Sequence, residues 1–385
     1  MKKALSILLF AACIQMTYAQ EKNMFLEEST LFEELSGVKK KSDKLNLYLN
    51  MNGSFDASEV GDTEEGKFNM RQLRIEAKGN LNDWLSYRWR QRLNRPNNGG
   101  DNIDNMPTSI DIAAIGVKLN DQWSILAGKQ CAAYGGIEFD LNPIEIYEYS
   151  DMIEYMSNFM TGVNIGYNLT EDQQFNFQVL NSLNSPFEET YGNVPGISPT
   201  KLPLVYTLNW NGNFNNVFKT RWSASIMNQA EDKKLYYFAL GNELTIDNFN
   251  MFFDFMYSID DIDRSGIITS IVAPGNGYNA SNAGYLSMIA KANYRFTPKW
   301  NVFVKGMYET ASVTEESAGI KDGKYRTSLG YLTGLEYYPM ESNLHFFLTY
   351  VGRKYIYSDL AESLGFKDYN TNRVSIGFIY QLQIF

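Results

Sequence analysis

The sequence lacks the features on which many folds and active sites depend. After its first twenty residues it has no run of about 18 or more apolar residues, which excludes membrane-spanning helices. Its only histidine is His345. It has no metal-ligand spacing, phosphate-binding glycine loop or dinucleotide fingerprint. We therefore expect neither a metal nor any other cofactor.

The first 19 residues are predicted to be a signal peptide. They combine a positively charged start, Met1-Lys2-Lys3, with an apolar stretch over 4–14 and small residues before Gln20. A competing interpretation makes Cys13 the acylated residue of a lipoprotein box. Cleavage after residue 19 would leave Cys131 as the one cysteine, so the mature chain could form no internal disulfide.

Residues 20–44 are predicted to form a periplasmic segment that precedes the main domain. Apolar and charged residues are interspersed there in a way that favours a short amphipathic helix, with Phe25, Leu31, Phe32 and Leu35 on its apolar side.

The chain then alternates between apolar and polar residues. Leu45, Leu47, Leu49 and Met51 are separated by Asn46, Tyr48 and Asn50, and the same period of two recurs along the chain near 85–89, 218–226, 249–257, 286–296, 300–304, 325–331, 344–350 and 374–382. This period predicts β-strands with one apolar and one polar face. Many of these segments reach the roughly 9–11 residues that a tilted strand needs to cross a membrane.

The connections between these segments alternate in length. Seven short breaks carry turn residues, at 82–83, 120–121, 171–172, 211–213, 247–248, 297–299 and 341–343. Eight longer, polar connections lie between them, near 57–67, 95–108, 131–159, 182–203, 228–234, 259–284, 310–324 and 355–368. The pattern predicts an all-β, closed antiparallel barrel of about 16 strands over 45–385, inserted in the lipid of the bacterial outer membrane with short periplasmic turns and long external loops. A soluble β-sandwich is the alternative.

The charges are distributed unevenly. The chain is acidic, with 34 basic and 44 acidic residues, which argues against nucleic-acid binding. However, 13 cations share the polar face of the strands: Arg74, Lys78, Arg88, Arg90, Arg92, Lys219, Arg221, Lys291, Arg295, Lys305, Arg326, Arg353 and Arg373. Most acidic residues fall in the longer connections instead. We therefore predict a basic lumen that favours small anions.

Arg88, Arg90 and Arg92 form the most distinctive part of this set. Their spacing places three guanidinium groups on one face of one strand, about 6.6 Å apart along the pore. Arginine suits an anion path because its planar fork can donate two hydrogen bonds to an oxyanion and keeps its charge. The alternative is that these arginines pair with acidic residues of the 138–154 region.

The connection 131–159 is predicted to be a constriction loop. Gly135 and Gly136 allow a sharp inward turn of the backbone. Glu138, Asp140 and Glu145 would then face the arginines across the lumen. An external lid or a contact between subunits is the alternative.

Several motifs resemble the phosphate-selective porin O and P family, in the form found in Bacteroidetes. They are the stretches 71–79 (RQLRIEAKG), 85–91 (LSYRWRQ), 127–130 (AGKQ) and 135–151, which ends in YEYSD. The resemblance implies a homotrimeric 16-stranded porin for anions such as phosphate, with Arg74, Arg88, Arg90 and Arg92 lining the path. It also implies that Lys129 lies near the third loop.

Two other functions compete with an anion porin. A general or sugar porin would lack anion selectivity. An outer-membrane barrel enzyme would need a nucleophile with a base, and His345 lies in the middle of a strand rather than beside a loop. We therefore do not expect an enzyme. Phe385 falls on the wrong parity for the last strand, so either a bulge or a frayed end occurs there or the predicted register of that strand is wrong.

Overall fold

The computed structural model describes residues 43–61, 63–97 and 102–385, and these form a closed antiparallel barrel of 16 strands. Each strand pairs with its neighbours in the chain, and β1 pairs with β16 to close the sheet. The strands are β1 (Asn46–Val60), β2 (Thr63–Asn82), β3 (Leu85–Arg92), β4 (Ile110–Lys118), β5 (Trp123–Cys131), β6 (Phe159–Thr170), β7 (Gln173–Asn181), β8 (Leu204–Phe214), β9 (Phe218–Ala230), β10 (Lys233–Ile246), β11 (Phe249–Ile262), β12 (Ser281–Thr297), β13 (Trp300–Val313), β14 (Gly323–Tyr337), β15 (His345–Tyr357) and β16 (Tyr369–Gln383). The prediction of an all-β barrel of 16 strands is confirmed.

Alternate residues of each strand face opposite sides of the wall, as the period of two predicts. On β13, for example, Val302 and Val304 are exposed, whereas Phe303 and Lys305 between them are buried. The exposed, apolar side is the outer face of the barrel. A closed sheet has no unpaired edge, so every wall strand can satisfy its backbone groups within the membrane.

Two of the eight external connections are shorter than expected. In the segments 57–67 and 228–234 only two residues separate the strands, because β1 ends at Val60 and β2 begins at Thr63, and β9 ends at Ala230 and β10 begins at Lys233. Their polar residues belong to strands that continue past the apolar band, where water reaches both faces, so composition does not mark the end of a strand. Similarly, the turn predicted at 211–213 lies at 215–217, where Asn215 and Asn216 both have positive φ.

Short helices occur only in the external connections of the described chain. They are α1 (Asp151–Tyr155), α2 (Phe187–Tyr191), α3 (Ile267–Val272) and α4 (Asp359–Glu362). None of the helices in the described ranges is long and apolar enough to span a membrane.

Both ends of the chain bear on the sequence predictions. The predicted signal peptide 1–19 and the predicted segment 20–44, except residues 43–44, lie outside the described residues. At the other end, β16 stops at Gln383, and the backbone N–H groups of Ile384 and Phe385 both donate to the carbonyl oxygen of Leu47. The last two residues therefore leave the regular ladder, which explains the parity of Phe385.

Candidate functional site

The connection between β5 and β6, residues 132–158, turns away from the wall at two glycines. Gly135 and Gly136 have φ values of +74° and +80°. A Cβ atom on Gly135 would lie 2.6 Å from the hydroxyl of Ser223, so a larger residue there would also clash with β9. The N–H of Gly136 donates to the carbonyl of Arg221 at 3.1 Å. The glycines thus let the loop pass close against the β9 backbone.

The next part of the loop is held by a carboxylate on β11. Asp254 accepts hydrogen bonds from the N–H groups of Ile137 and Glu138, at 2.6 and 2.8 Å. The Glu138 side chain then forms a buried ion pair with Lys305 on β13. These bonds satisfy backbone and side-chain groups that would otherwise be buried without partners.

Tyr147 attaches the middle of the loop to the opposite wall. Its ring stacks on Phe303 with centroids 5.0 Å apart and meets Phe347 edge-on at 4.9 Å. Its hydroxyl donates to Glu336 on β14 at 2.7 Å. The hydrogen bond provides a polar partner for a phenol that is otherwise surrounded by apolar groups.

The end of the loop is held by charge. Asp151 pairs with Arg326 on β14 and with Arg353 on β15, the latter at 2.6 Å, and its N–H donates to Glu309 on β13 at 2.6 Å. Glu148 pairs with Arg373 on β16 at 2.9 Å. A segment that leaves β5 and contacts β9, β11 and β13 to β16 of a closed barrel must cross the interior.

Two cavities lie against this crossing segment. The outer cavity, of about 480 Å³, reaches external-loop residues such as Thr108 and Asn184. The inner cavity, of about 310 Å³, reaches the periplasmic turn at Asn343. Leu141 lines both cavities, so it lies between them.

The arginines of β3 do not share one environment. Arg88 is half exposed and pairs with Glu76 at 2.8 Å, whereas Arg90 is buried and Arg92 lines the outer cavity. Phe159 lies under Arg90 and Arg92, with the guanidinium carbons 5.1 and 5.7 Å from its ring centroid. The three arginines thus pair with carboxylates of the wall, Glu76 and Asp111. They do not pair with acidic residues of the 138–154 region, which was the alternative interpretation of the sequence.

A single buried carboxylate, Asp111 on β4, is the centre of this group. It lies 2.7 Å from Arg92, 3.3 Å from Arg90 and 3.5 Å from Arg74. Besides the Nε atoms that face Asp111, Nη1 of Arg74 and Nη2 of Arg90 are buried without a hydrogen-bond partner among the described residues. Three guanidinium groups around one carboxylate leave an excess of positive charge at the outer cavity.

Sequence reasoning missed Asp111 because a β-bulge places it. Arg90 pairs with Ile112 and Gln91 with Ile110, so Asp111 is an extra residue in the ladder. A bulge re-aims a side chain without changing residue types, so the alternating pattern gives no sign of it. A second shift of register, between Asn52 and Gly53 of β1, lies opposite Arg71 of β2. The Arg71 guanidinium donates hydrogen bonds to Asp56 at 2.7 Å and to the carbonyl of Tyr147 at 3.4 Å.

The other predicted cations occupy three kinds of position. Lys129 lines the outer cavity and lies 3.1 Å from Asp104. Arg221 pairs with Asp140, and Arg326 with Asp151, so the loop neutralises both. Three cations lie nearer the periplasm. Lys291 lines the inner cavity over the ring of Phe303, and the guanidinium of Arg295 stacks on Tyr338 and donates to the carbonyl of Pro298. Lys219 is exposed near the inner end of β9.

The structure therefore brings only part of the predicted set together. Arg74, Arg92, Lys129 and Glu138 surround the outer cavity, along with Arg95, which the sequence did not single out. Lys291 and Glu145 meet in the inner cavity. Arg95 lies in a polar connection, where the period of two gives no indication of direction.

A closed barrel crossed inside by one of its own loops defines the class of outer-membrane porins. The chain belongs to the phosphate-selective porin O and P family, which matches residues 45–382. It is accordingly a protein of the bacterial outer membrane, and membership of a porin family favours a channel over an enzyme. The comparison with curated proteins found no match.

Solved structures support the fold. The outer-membrane channel DcaP of Acinetobacter baumannii is 15% identical, with a TM-score of 0.62, and the alignment covers 89% of this chain and 99% of that one. An anion-selective porin from Comamonas acidovorans is 6% identical, with a TM-score of 0.55 and coverages of 88% and 99%. The in-vitro folded trimer form of OmpT from Vibrio cholerae is 12% identical, with a TM-score of 0.51 and the same coverages.

Proposed function

We propose that this porin lets small anionic solutes, with phosphate as the first to test, diffuse passively through a lumen lined by arginine and lysine. The observation that carries the proposal is the group around Asp111. Arg74, Arg92, Arg95 and Lys129 line the outer cavity, and Arg74 and the neighbouring Arg90 each have a buried terminal nitrogen without a hydrogen-bond partner among the described residues. Guanidinium groups in such a state favour an oxyanion that can accept their hydrogen bonds.

Loop 132–158 acts as the constriction in this proposal. It crosses the interior and separates the outer from the inner cavity at Leu141. Because its ion pairs and ring contacts reach six strands, β9, β10 and β13 to β16, the loop acts as a fixed partition rather than as an external lid.

The electrical selectivity of the pore tests the proposal. In planar bilayers with a potassium chloride gradient at low ionic strength, we expect a reversal potential of the sign given by chloride preference. Arg92→Ser with Arg95→Ser should reduce that preference by roughly two- to fivefold for each charge removed, the effect of one unit charge across about 4–8 Å of water. Lys321→Ser, in the external connection 314–322, is the control.

A wild-type reversal potential that indicates potassium preference would contradict the anion proposal. A potential near zero that the double variant leaves unchanged would favour a general porin instead. The inner cavity gives that second candidate some support, because the amides Asn250, Asn293, Asn301 and Gln381 line it and suit neutral hydroxylated solutes.

We also propose that the protein is a homotrimer whose subunits meet at the short side of the wall. β3, β4 and β5 have 8, 9 and 9 residues, whereas β12 to β16 have 13 to 17. At about 3.3 Å per residue and a tilt of about 40°, eight residues rise roughly 20 Å, less than the apolar band of about 25 Å. A second copy would cover this side better than lipid does. The trimer form of the OmpT structure is consistent with this assembly.

Placing a charge on this short side should break the trimer. Ile115→Arg, on the exposed face of β4, is expected to yield monomers in mild detergent, because arginine would be buried there without a partner. Val304→Arg is the matched variant on the tall wall, where it should leave the trimer mass intact. The mass is measured by light scattering. Trimers with Ile115→Arg, or monomers of the wild type, would refute this assembly.

A further inference from the structure

The two cavities along the proposed path carry opposite charges. Four cations, Arg74, Arg92, Arg95 and Lys129, line the outer cavity, against two carboxylates, Glu138 and Glu154. Glu138 is neutralised by Lys305 and Lys129 by Asp104, whereas Arg74 and Arg92 share the single carboxylate of Asp111 with Arg90. Arg95 forms no ion pair within the described part of the chain. The lining of the outer cavity is therefore positive.

In the inner cavity the balance is reversed. Glu145, Glu243 and Glu336 line it against a single lysine, Lys291. None of these three carboxylates forms an ion pair within the described part of the chain. Glu243 accepts a hydrogen bond from Asn250 at 2.6 Å, and Glu336 accepts one from Asn301 at 2.8 Å. Amide donors satisfy a carboxylate without removing its charge, so the inner lining stays negative.

A solute that crosses the pore meets these two linings in order, because Leu141 separates them. A simple anion attracted by Arg92 and Arg95 would next face Glu145 and Glu243, which repel it. A solute with an ammonium group and an acidic group is attracted at both stages. Water-filled cavities with low-dielectric walls focus such fields, so unpaired charges on the lining act strongly on the solute.

We propose that the pore favours small amphoteric solutes, which carry an anionic and an ammonium group, over simple anions of the same size. This inference rests on the proposed function, since the outer cavity must first attract the anionic group. Glu145 and Glu243 are then the residues that determine the preference. The same charge asymmetry makes ion current through the pore depend on its direction.

Two phosphate esters of similar size test the preference. We expect liposomes that contain the protein to take up O-phosphoethanolamine roughly two- to fivefold faster than glycerol 3-phosphate, the effect of one charge across about 4–8 Å of water. Glu145→Gln with Glu243→Gln should abolish that difference and speed the uptake of glycerol 3-phosphate. Glu188→Gln in α2, which lines neither cavity, is the control.

Glutamine keeps the acceptor for Asn250, and Glu145 makes no ion pair in the described structure, so the variant should fold. In the same bilayers, the wild type should pass more current in one direction in symmetric salt, and the variant should pass nearly equal currents. Equal uptake of the two esters, or a preference that survives in the variant, would overturn the inference while leaving anion selectivity intact. A cation-selective wild type would instead overturn the proposed function itself.

Discussion

Deletion of residues 134–155 is expected to raise single-channel conductance severalfold, because a 16-stranded barrel without an inserted segment leaves an open aqueous channel. β5 and β6 remain paired up to Cys131 and Phe159, so the five residues that are left can close the hairpin. The wall groups that held the loop, such as Asp254 and Arg353, would then face water rather than remain buried. Conductance is measured in planar bilayers at high salt.

The control for this deletion is a measurement of whether the barrel still closes. Heat-modifiable migration on gels should be the same for the deletion variant and the wild type, because the hydrogen bonds between wall strands do not depend on the loop. Unchanged conductance in a variant that still forms a closed barrel would show that the loop is not the constriction.

Replacement of Asp111 by asparagine is expected to lower the free energy of unfolding by about 3–5 kcal/mol, the usual cost of removing one partner from a buried charge group. Arg74, Arg90 and Arg92 would then be left close together without their shared carboxylate. The variant should also prefer anions more strongly than the wild type, because the outer cavity gains positive charge. Unfolding in guanidinium chloride and the reversal potential measure the two effects.

Asp121→Asn provides the matched substitution. Asp121 pairs with Lys118 at 2.7 Å on a short turn, but both side chains are largely exposed, so little stability should depend on the pair. Equal stability losses in the two variants would contradict a central role for Asp111. A stable Asp111→Asn protein with unchanged selectivity would show that the arginines are compensated by other groups.

The sequence predicts the wall well because one physical rule governs each strand. Lipid outside and polar groups inside require alternation, and β13 follows it from Val302 to Met307. The rule fails where water surrounds both faces. That is why the alternating pattern does not reveal that only two residues separate β1 from β2 and β9 from β10.

The candidate site could be predicted only in part. The cations were found because charge on the polar parity is visible in the sequence. The carboxylate that Arg74, Arg90 and Arg92 share is not visible in the same way, because Asp111 is placed by a bulge. The role of Asp254 is also hidden, because it holds backbone N–H groups of a loop more than a hundred residues earlier. Whether Arg221 faces the solute or Asp140 depends on the path of that loop, which no spacing in the sequence fixes.

The ion pairs of loop 132–158 also constrain the order of assembly. Within the described residues, every side chain that pairs with its carboxylates follows the loop in the chain, from Arg221 to Arg373. Arg373 belongs to the strand that closes the cylinder against β1. The interior partition can therefore be completed only when the C-terminal strand is in place, so the passage takes its final shape at the last step of barrel formation.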